Sequence, residues 1–300
     1  MRLNQLRDFI AVVEAGSLRS AAGKVGVSQP AMSKSIRQLE EELQVQLLQR
    51  NARGAALTRA GKTFLARARV IQSELRKADD DLQELRGGER GAVGFGVAPV
   101  AGMLLVPEAL QYFRRSQPAA DVRVVEGASG ALILLVRDET LDFCVSQSPG
   151  AIVDAGLRFK PLFRPRLAVV ARRGHPLRAA RRLRELAGAS WLMFYPPGSG
   201  AMLERLFAYA GLSLPRPIVH CESFASALSL VAKTDVLGLL SLEMVTEAWG
   251  QRYLQAIEIE EAIPAPLIGL YMRADTPPTP AARAMMQAIT MVARRLARER

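Results

Sequence analysis

The stretch 28-SQPAMSKSIRQLEEEL-43 decides the fold of the N-terminal third of this chain. Its apolar residues recur at the four-then-three spacing that lines one face of an α-helix: Met32, Ile36, Leu39 and Leu43. Ser28 can cap this helix, and a proline in the first turn costs no hydrogen bond. The polar residues start the helix or lie opposite its apolar face: Gln29, Pro30, Ser33, Lys34 and Arg37. The stretch predicts an amphipathic helix with a small polar tip.

This helix could be an ordinary amphipathic surface helix or a DNA-recognition helix. The residues before it indicate which of the two it is. Residues 3–17 predict one amphipathic helix, and residues 18–26 predict a short second helix that ends at Gly26. A single residue, Val27, then leads to the cap of the third helix. Two short helices joined by a tight turn, the second with a polar tip, are typical of a helix-turn-helix that places its second helix in the DNA major groove.

The residues after Leu43 predict a wing and a long helix. Leu47 and Leu48 face Leu57 across a basic loop that carries Arg50 and Arg53, which favours a two-stranded wing that contacts phosphates or the minor groove. A coiled-coil seam follows on one helix: Phe64, Ala68, Ile71, Leu75, Ala78, Leu82 and Leu85. A seam of this kind predicts a homodimer, with packing on the chain's own domain as the alternative.

Composition favours a polyanionic partner. The formal net charge is +11 over 300 residues, and residues 1–69 alone contribute +7 of it. Only two cysteines occur, Cys144 and Cys221, and their apolar surroundings favour inert thiols over a redox pair. The N-terminus makes a poor signal peptide and no apolar run is long enough to span a membrane, so we expect a cytoplasmic protein that does not bind membranes.

Residues 86–91 are a glycine-rich, charged break, and strand-like and helix-like segments alternate beyond it. This alternation predicts an α/β region with parallel strand pairing, whose ligands bind beyond the carboxyl ends of the strands. The glycines of 91-GAVGFGVAP-99 do not have the dinucleotide-binding spacing, and the two histidines belong to no metal or catalytic motif. We therefore expect neither an enzyme nor a bound metal or cofactor.

The N-terminal pattern resembles the LysR-type transcriptional regulators. The residues that carry the resemblance are Leu6, Phe9, Val13, Glu14, Gly16, Ser17, Ala21, Ala22, Ser28, Gln29, Pro30, Ala31, Ser33, Ile36, Leu39, Glu40, Leu43, Arg50, Gly54, Leu57, Thr58, Ala60 and Gly61. Three positions depart from the family pattern. Lys34 stands where arginine is commoner, Gln44 stands where glycine is usual, and Leu48 stands where phenylalanine is usual. The resemblance implies a mixed fold: a helical winged helix-turn-helix domain (1–58), a linker and dimerisation helix (59–87), and a two-lobed α/β effector-binding domain (92–300) like that of periplasmic solute-binding proteins.

The same resemblance implies partners and sites. The expected partners are an interrupted palindrome of double-stranded DNA, a small-molecule effector, further copies in a homodimer or homotetramer, and RNA polymerase. The implied DNA-binding residues are Ser28, Gln29, Pro30, Ser33, Lys34, Arg37, Arg50 and Arg53. Lobe I is expected over 92–161 and 267–300, and lobe II over 162–266. The effector candidates in the cleft between them are Pro99, Val100, Ser129, Ser146, Gln147, Ser199, Glu222 and Ser223.

Helix N-termini at such a cleft favour anions, so we expect a small organic anion as effector. The layout around 221-CESFASALSLVAKTD-235 resembles most the subgroup that responds to aryl sulfonates or to sugars. The competing function is a small-molecule sensor that does not regulate genes. In the basic stretch 158–184, which has ten Lys or Arg and no acid, a solvated face is favoured over a second nucleic-acid surface.

Overall fold

The computed structural model describes residues 1–51, 54–85, 91–148, 156–194, 202–246 and 248–298. They form an N-terminal domain, one long helix and two five-stranded sheets. Across these described residues, no helix is both long enough and apolar enough to cross a lipid bilayer.

The N-terminal domain consists of three helices and a two-stranded wing. The elements are α1 (Leu3–Ala15), α2 (Leu18–Val25), α3 (Gln29–Leu43), β1 (Leu48–Asn51) and β2 (Gly54–Leu57). Gly16 ends α1 with a φ of 71°, and the Ser17 and Ser28 hydroxyls cap α2 and α3 by accepting backbone N–H bonds. The predicted apolar face of α3 is confirmed, because Met32, Ile36 and Leu39 are buried in the domain core.

Helix α4 (Arg59–Leu85) follows the wing and begins packed against it. Thr58 Oγ1 accepts a hydrogen bond from the N–H of Gly61 at 2.9 Å and donates to the carbonyl of Gln46 at 2.7 Å. A Cβ at Gly61 would overlap the carbonyl oxygen of Leu47 and stand 3.0 Å from Leu57 Cδ2. Only glycine lets α4 approach the wing this closely.

Lobe I is built on a sheet with the strand order β4-β3-β5-β12-β6. Its strands are β3 (Ala92–Val97), β4 (Asp121–Glu126), β5 (Phe143–Gln147), β6 (Leu157–Phe163) and β12 (Ile268–Arg273). Its helices are α5 (Pro99–Ser116), α6 (Ser129–Arg137) and α12 (Pro280–Arg298). The pairs β3·β4 and β3·β5 are parallel, as predicted, whereas β12 runs antiparallel to both of its neighbours.

Lobe II is built on a sheet with the order β11-β7-β10-β8-β9. Its strands are β7 (Leu167–Arg172), β8 (Ser190–Met193), β9 (Ile218–His220), β10 (Val236–Ser241) and β11 (Leu254–Ile257). Its helices are α7 (Leu183–Leu186), α8 (Met202–Tyr209), α9 (Phe224–Lys233), α10 (Leu242–Thr246) and α11 (Ala248–Tyr253). Trp191 anchors this core: its Nε1–H donates to the carbonyl of Leu186 at 2.9 Å, and Phe207 packs edge-on against its ring.

The predicted boundary between the lobes at residue 161 is wrong by two residues, because β6 continues to Phe163. Pro161 lies within β6. A proline is tolerated there because β6 is an edge strand, and no neighbouring strand on its open side needs a backbone N–H from it. The chain crosses into lobe II near 164–166 and returns between 258 and 267. The Arg164 guanidinium donates to the carbonyl of Ala265 at 3.0 Å, so one hydrogen bond joins the two crossings.

Candidate DNA-binding and effector-binding sites

The polar side of α3 is presented outward from the N-terminal domain. Ser28, Gln29, Pro30, Lys34 and Arg37 are exposed, and Ser33 is half-buried between them. The side chains of α3 that pack in the core are apolar, so the core and the candidate DNA-binding face lie on opposite sides of the helix. A helix of this kind can enter a major groove with Gln29 and Ser33 toward base edges and the cations toward phosphates.

Two carboxylates that sequence reasoning missed hold α3 in place, one buried (Asp8) and one half-buried (Glu40). Asp8, on α1, accepts a hydrogen bond from Ser35 Oγ at 2.6 Å. Glu40 Oε1 accepts the backbone N–H groups of Leu47 and Leu48, at 2.8 and 3.0 Å. These contacts fix the angle between the recognition helix, its neighbour and the wing. An acid within an otherwise apolar helix face was the available sequence signal.

The wing is a regular antiparallel hairpin that pairs Leu48 with Leu57 and Arg50 with Ala55. The backbone of Arg50 lies in β1, but its side chain is outside the described part of the structure. Arg53 lies outside the described residues altogether. The roles predicted for these two arginines therefore stay predictions.

The seam of α4 divides into two parts, which corrects the interpretation that all of it is left for a second copy. Ala68 is fully buried in the N-terminal domain, and Phe64 and Ile71 pack on the same core. The Phe64 ring centroid lies 5.4 Å from that of Phe9. The N-terminal part of the seam packs on its own domain because the turn through Thr58 places α4 across α1.

The C-terminal part of the seam remains exposed. Leu75 is 44% exposed and Leu82 53% exposed, and Ala78 lies exposed between them. The helix continues through Leu85, whose side chain is outside the described part of the chain. An exposed leucine pair one heptad apart is a typical dimerisation surface.

Substituting this exposed pair should abolish dimerisation. In Leu75→Glu/Leu82→Glu, like charges would face each other in a second copy, so we expect the assembly mass in analytical ultracentrifugation to fall by half. Leu134→Glu, which changes a leucine of 54% exposure on α6, is the matched control and should leave the dimer intact. An assembly mass that is unchanged in the double variant would show that the α4 seam is not a dimer interface.

Ion pairs connect α4 to lobe I. Arg76 Nη2 lies 2.6 Å from Asp142 Oδ1, and the other oxygen of Asp142 accepts the backbone N–H of Gly94 at 2.8 Å. Lys77 Nζ lies 2.9 Å from Glu139 Oε2, and each of these side chains is only 9% exposed. Both acids stand in the connection from α6 to β5. The linker helix is therefore clamped onto the effector domain by paired, largely desolvated charges.

A cavity of about 510 Å³ lies in the cleft between the lobes. Its lining includes five of the predicted residues: Pro99, Val100, Ser129, Gln147 and Glu222. Ser146 is buried behind Ser129 and donates to its hydroxyl at 2.6 Å, and Ser223 caps α9 and is not among the lining side chains. Ser199 lies outside the described residues.

The rest of the lining was missed by sequence reasoning. These residues are Ala98, Glu126, Gly127, Ala128, Pro165, Leu167, Phe194, Met202, Phe224, Leu239, Leu240, Ser241, Pro266 and Ile268. They come from the ends of β3, β4, β8 and β10, the starts of β7, β12, α8 and α9, and the two crossings between lobes. Cavities of this size, mostly apolar with few polar groups, are typical of small-molecule sites.

Comparison with known proteins identifies both parts of the chain. Residues 3–62 match the bacterial regulatory helix-turn-helix proteins of the lysR family, and residues 86–294 match the LysR substrate binding domain. The chain belongs to the LysR family of transcriptional regulators. The winged helix-turn-helix and two-lobed α/β fold predicted for a LysR-type regulator are thereby confirmed.

Relatives of this LysR-type regulator match it over nearly its whole length. The SDS degradation transcriptional activation protein of a Pseudomonas species is 33% identical over 294 residues, which cover 94% of each chain. The regulator GbpR of Azospirillum brasilense is 28% identical over 96% of this chain and 86% of its own. The crystal structure of CbnR, a LysR family regulator, has a TM-score of 0.71 at 22% identity, over 98% of this chain and 99% of CbnR, a likeness of fold.

The charges of the cleft conflict with the expected anionic effector. Two carboxylates line the cavity of this LysR-type regulator, Glu126 and Glu222, and no Lys or Arg does so within the described residues. An anion in the cleft would therefore meet two like charges. The expectation of an anion was based on the helix N-termini alone. It did not include Glu126, because the chain order does not show that this residue lies in the cavity.

The two cysteines and the buried histidine are held by burial or by hydrogen bonds within the fold. Burial raises the pKa of the Cys144 thiol to about 12, which keeps it protonated and unreactive near neutral pH. Cys221 Sγ donates to the carbonyl of Ser223 at 3.3 Å. His175 is buried, and its Nδ1 accepts the N–H of Leu177, which leaves Nε2 to donate to the carbonyl of Asp235.

The basic stretch 158–184 forms a solvated face with local partners. Arg172 pairs with Asp235, Arg181 with Glu258 and Arg182 with Glu260, at 2.6 to 3.2 Å. These three exposed pairs offset part of the local positive charge of the ten Lys and Arg side chains. The pairing favours the predicted solvated face over a second nucleic-acid surface.

Proposed function

We propose that this LysR-type regulator recognises an interrupted DNA palindrome by placing the α3 of each of two copies in successive major grooves. The contacting residues proposed are Ser28, Gln29, Pro30, Ser33, Lys34, Arg37, Arg50 and Arg53. The single observation that carries the proposal is the exposed polar face of α3 on a rigid three-helix domain, with Asp8 and Glu40 holding the helix in place. The excess of positive charge in residues 1–69 supports the phosphate contacts.

The proposed dimer forms through the exposed part of the α4 seam, Leu75, Ala78 and Leu82, with Leu85 as its predicted continuation. A dimer supplies the two-fold symmetry that a palindrome requires. Two dimers joined through their effector domains would form the homotetramer expected from the family. In this proposal the domain limits are 1–58, 59–87 and 92–300, with lobe I extended to residue 163.

The proposed effector site is the cleft between the lobes, and α6 is its connection to the linker. This helix begins at Ser129 in the cleft and ends at Arg137, a few residues before the acids that pair with Arg76 and Lys77. Effector binding that changes the closure of the lobes would move α6 and, through those pairs, α4. The angle between the two DNA-binding domains, and thus contact with promoter DNA or RNA polymerase, would change.

We further propose that the chain acts in the cytoplasm by binding, without catalysis. The alternative function, a cytoplasmic sensor of small molecules that does not regulate genes, would leave the exposed face of α3 without a role. The two functions differ in one measurable property, which is the specificity of DNA binding.

Two α3 variants test the proposal on sites selected from random DNA by the full-length protein. Gln29→Ala should relax preference at one base pair, at a cost of about 1–3 kcal/mol for the preferred site. Arg37→Ala should weaken binding to all sequences and reduce the magnitude of the salt slope by about 1. Both effects are read from binding isotherms at several salt concentrations.

The matched control for charge is Arg181→Ala, which removes one exposed arginine from lobe II. It should change neither the specificity nor the salt slope. If Gln29→Ala and Arg37→Ala behave like this control, α3 is not the recognition helix and the proposal fails.

A further inference from the structure

We propose that the effector of this regulator is an organic cation, an amine or ammonium compound with an apolar body. The inference rests on the proposed function, since it takes the cleft between the lobes as the effector site. It differs from that function in naming the chemical class that the cleft selects.

The first observation is the sign of the charge in the cleft. Glu126 is the last residue of β4, Glu222 follows β9, and both line the cavity. No basic side chain lines it among the described residues, and the sequences 149–155 and 195–201, which lie outside them, contain no Lys or Arg. In a chain of net charge +11, a cleft lined by two carboxylates is a local reversal of sign that attracts cations.

The arginines nearest along the chain do not reverse this charge. Arg164 and Arg166 flank Pro165, a lining residue, but neither of them lines the cavity. The Arg164 guanidinium donates to the carbonyl of Ala265. Arg166 Nε lies 3.6 Å from Glu243 Oε1, so its charge is directed to another carboxylate.

The helix starts at the cleft do not restore a preference for anions. Glu126 stands three residues before α6 and Glu222 two residues before α9, so each carboxylate lies near the positive end of a helix dipole. Helix α5 begins with Pro99, which has no N–H to donate. An added anion would compete with carboxylates that are already in place.

The walls of the cavity fit an apolar body. The rings of Phe194 and Phe224 stack with centroids 5.6 Å apart, and Leu167, Leu240 and Ile268 add aliphatic surface. Aromatic faces attract cations as well as apolar groups. A neutral polyhydroxy compound could donate to the carboxylates but would place hydroxyls against these apolar walls without partners.

The experiment measures binding of matched probes to the full-length protein by ligand-observed NMR. The probes are phenylalkyl amines, the corresponding alcohols and the corresponding carboxylates, which share one apolar body and differ in charge. We expect the amines to bind roughly tenfold more tightly than the carboxylates, as two partly screened charge pairs would supply. In Glu126→Gln/Glu222→Gln this preference should disappear.

The control variant is Glu258→Gln, which neutralises a carboxylate of lobe II that is 84% exposed and lies outside the cavity lining. It should keep the preference for amines. Carboxylates or alcohols that bind as well as the amines, amines that do not bind, or a preference that survives in the double variant would each overturn the inference. DNA binding of the effector-free protein is measured separately. If the effector-free protein does not bind DNA specifically, the proposed function is refuted, whereas the preference of the cleft for amines is not.

Discussion

Lys77→Met should destabilise the protein by about 3–5 kcal/mol, because it leaves the carboxylate of Glu139 buried without its main partner. Lys77 and Glu139 are each 9% exposed, and the next cation, Arg273 Nη2, lies 3.9 Å from Glu139. The pair joins α4 to lobe I, so its loss should also separate effector binding from DNA binding. Chemical denaturation followed by circular dichroism gives the change in free energy of unfolding.

The exposed partner of Lys77 supplies the control. Glu74, 2.5 Å from Lys77 Nζ, is 55% exposed, and Glu74→Gln should cost less than about 1 kcal/mol. In Lys77→Met/Glu139→Gln the carboxylate left without its main partner is removed, so the double variant should be more stable than Lys77→Met alone. If the double variant loses as much free energy of unfolding as Lys77→Met and Glu139→Gln lose together, the two side chains are not coupled across the interface.

Gly61→Ala should also be strongly destabilising, by about 3 kcal/mol, because its Cβ would overlap the backbone oxygen of Leu47. Helix α4 would have to move away from the wing, and the hydrogen bonds made by Thr58 would lengthen. We expect a lower melting temperature together with weaker DNA binding, since Leu47 and Leu48 at the start of the wing hold α3 through their hydrogen bonds to Glu40. Differential scanning calorimetry and binding isotherms measure the two effects.

Gly23→Ala separates this steric effect from the general cost of replacing a helical glycine. Gly23 lies exposed in α2, and a Cβ there would meet nothing within 4 Å. This variant should gain about 0.5–1 kcal/mol, the ordinary benefit of alanine over glycine in a helix. Equal effects in both variants would mean that the contact between α4 and the wing is not tight in solution.

The N-terminal domain could be predicted from the sequence nearly residue by residue. Short-range signals specify it: the hydroxyl caps at Ser17 and Ser28, the glycine ends of α1 and α2, and the four-then-three spacing in α3. Gln44 occupies the left-handed conformation, with a φ of 53°, that the family usually gives to glycine. Gln44 in place of glycine therefore keeps the geometry of the turn but makes its left-handed backbone conformation less favourable in free energy.

The effector domain was predicted less well because its packing is long-range. Strands β6 and β11 have no strong period-two pattern, so the sequence does not mark them as strands. The pairing of β12 with β5 and β6 joins residues more than 100 positions apart. No local periodicity reports such a pairing, so the antiparallel half of each sheet was not expected.

The composition of the cleft shows the same limit. Ser129 and Glu222 could be placed there, since a strand end or a helix start marks each of them. Leu240, Pro266 and Phe194 reach the cavity only because the lobes face each other. The seam of α4 is a related case: its spacing identifies an apolar stripe, but the contact of Phe64 with Phe9 depends on the angle at Thr58.

The most direct test of the central claim, that this LysR-type regulator is a dimeric and sequence-specific DNA-binding protein, is a footprint of the purified protein. Genomic fragments that include the DNA upstream of its own gene would be probed at two salt concentrations. We expect protection of a dyad-symmetric site that persists at the higher salt concentration, because base contacts add to the salt-sensitive phosphate contacts. Diffuse protection that disappears at the higher salt concentration would contradict it, and the positive charge would then serve only non-specific attraction.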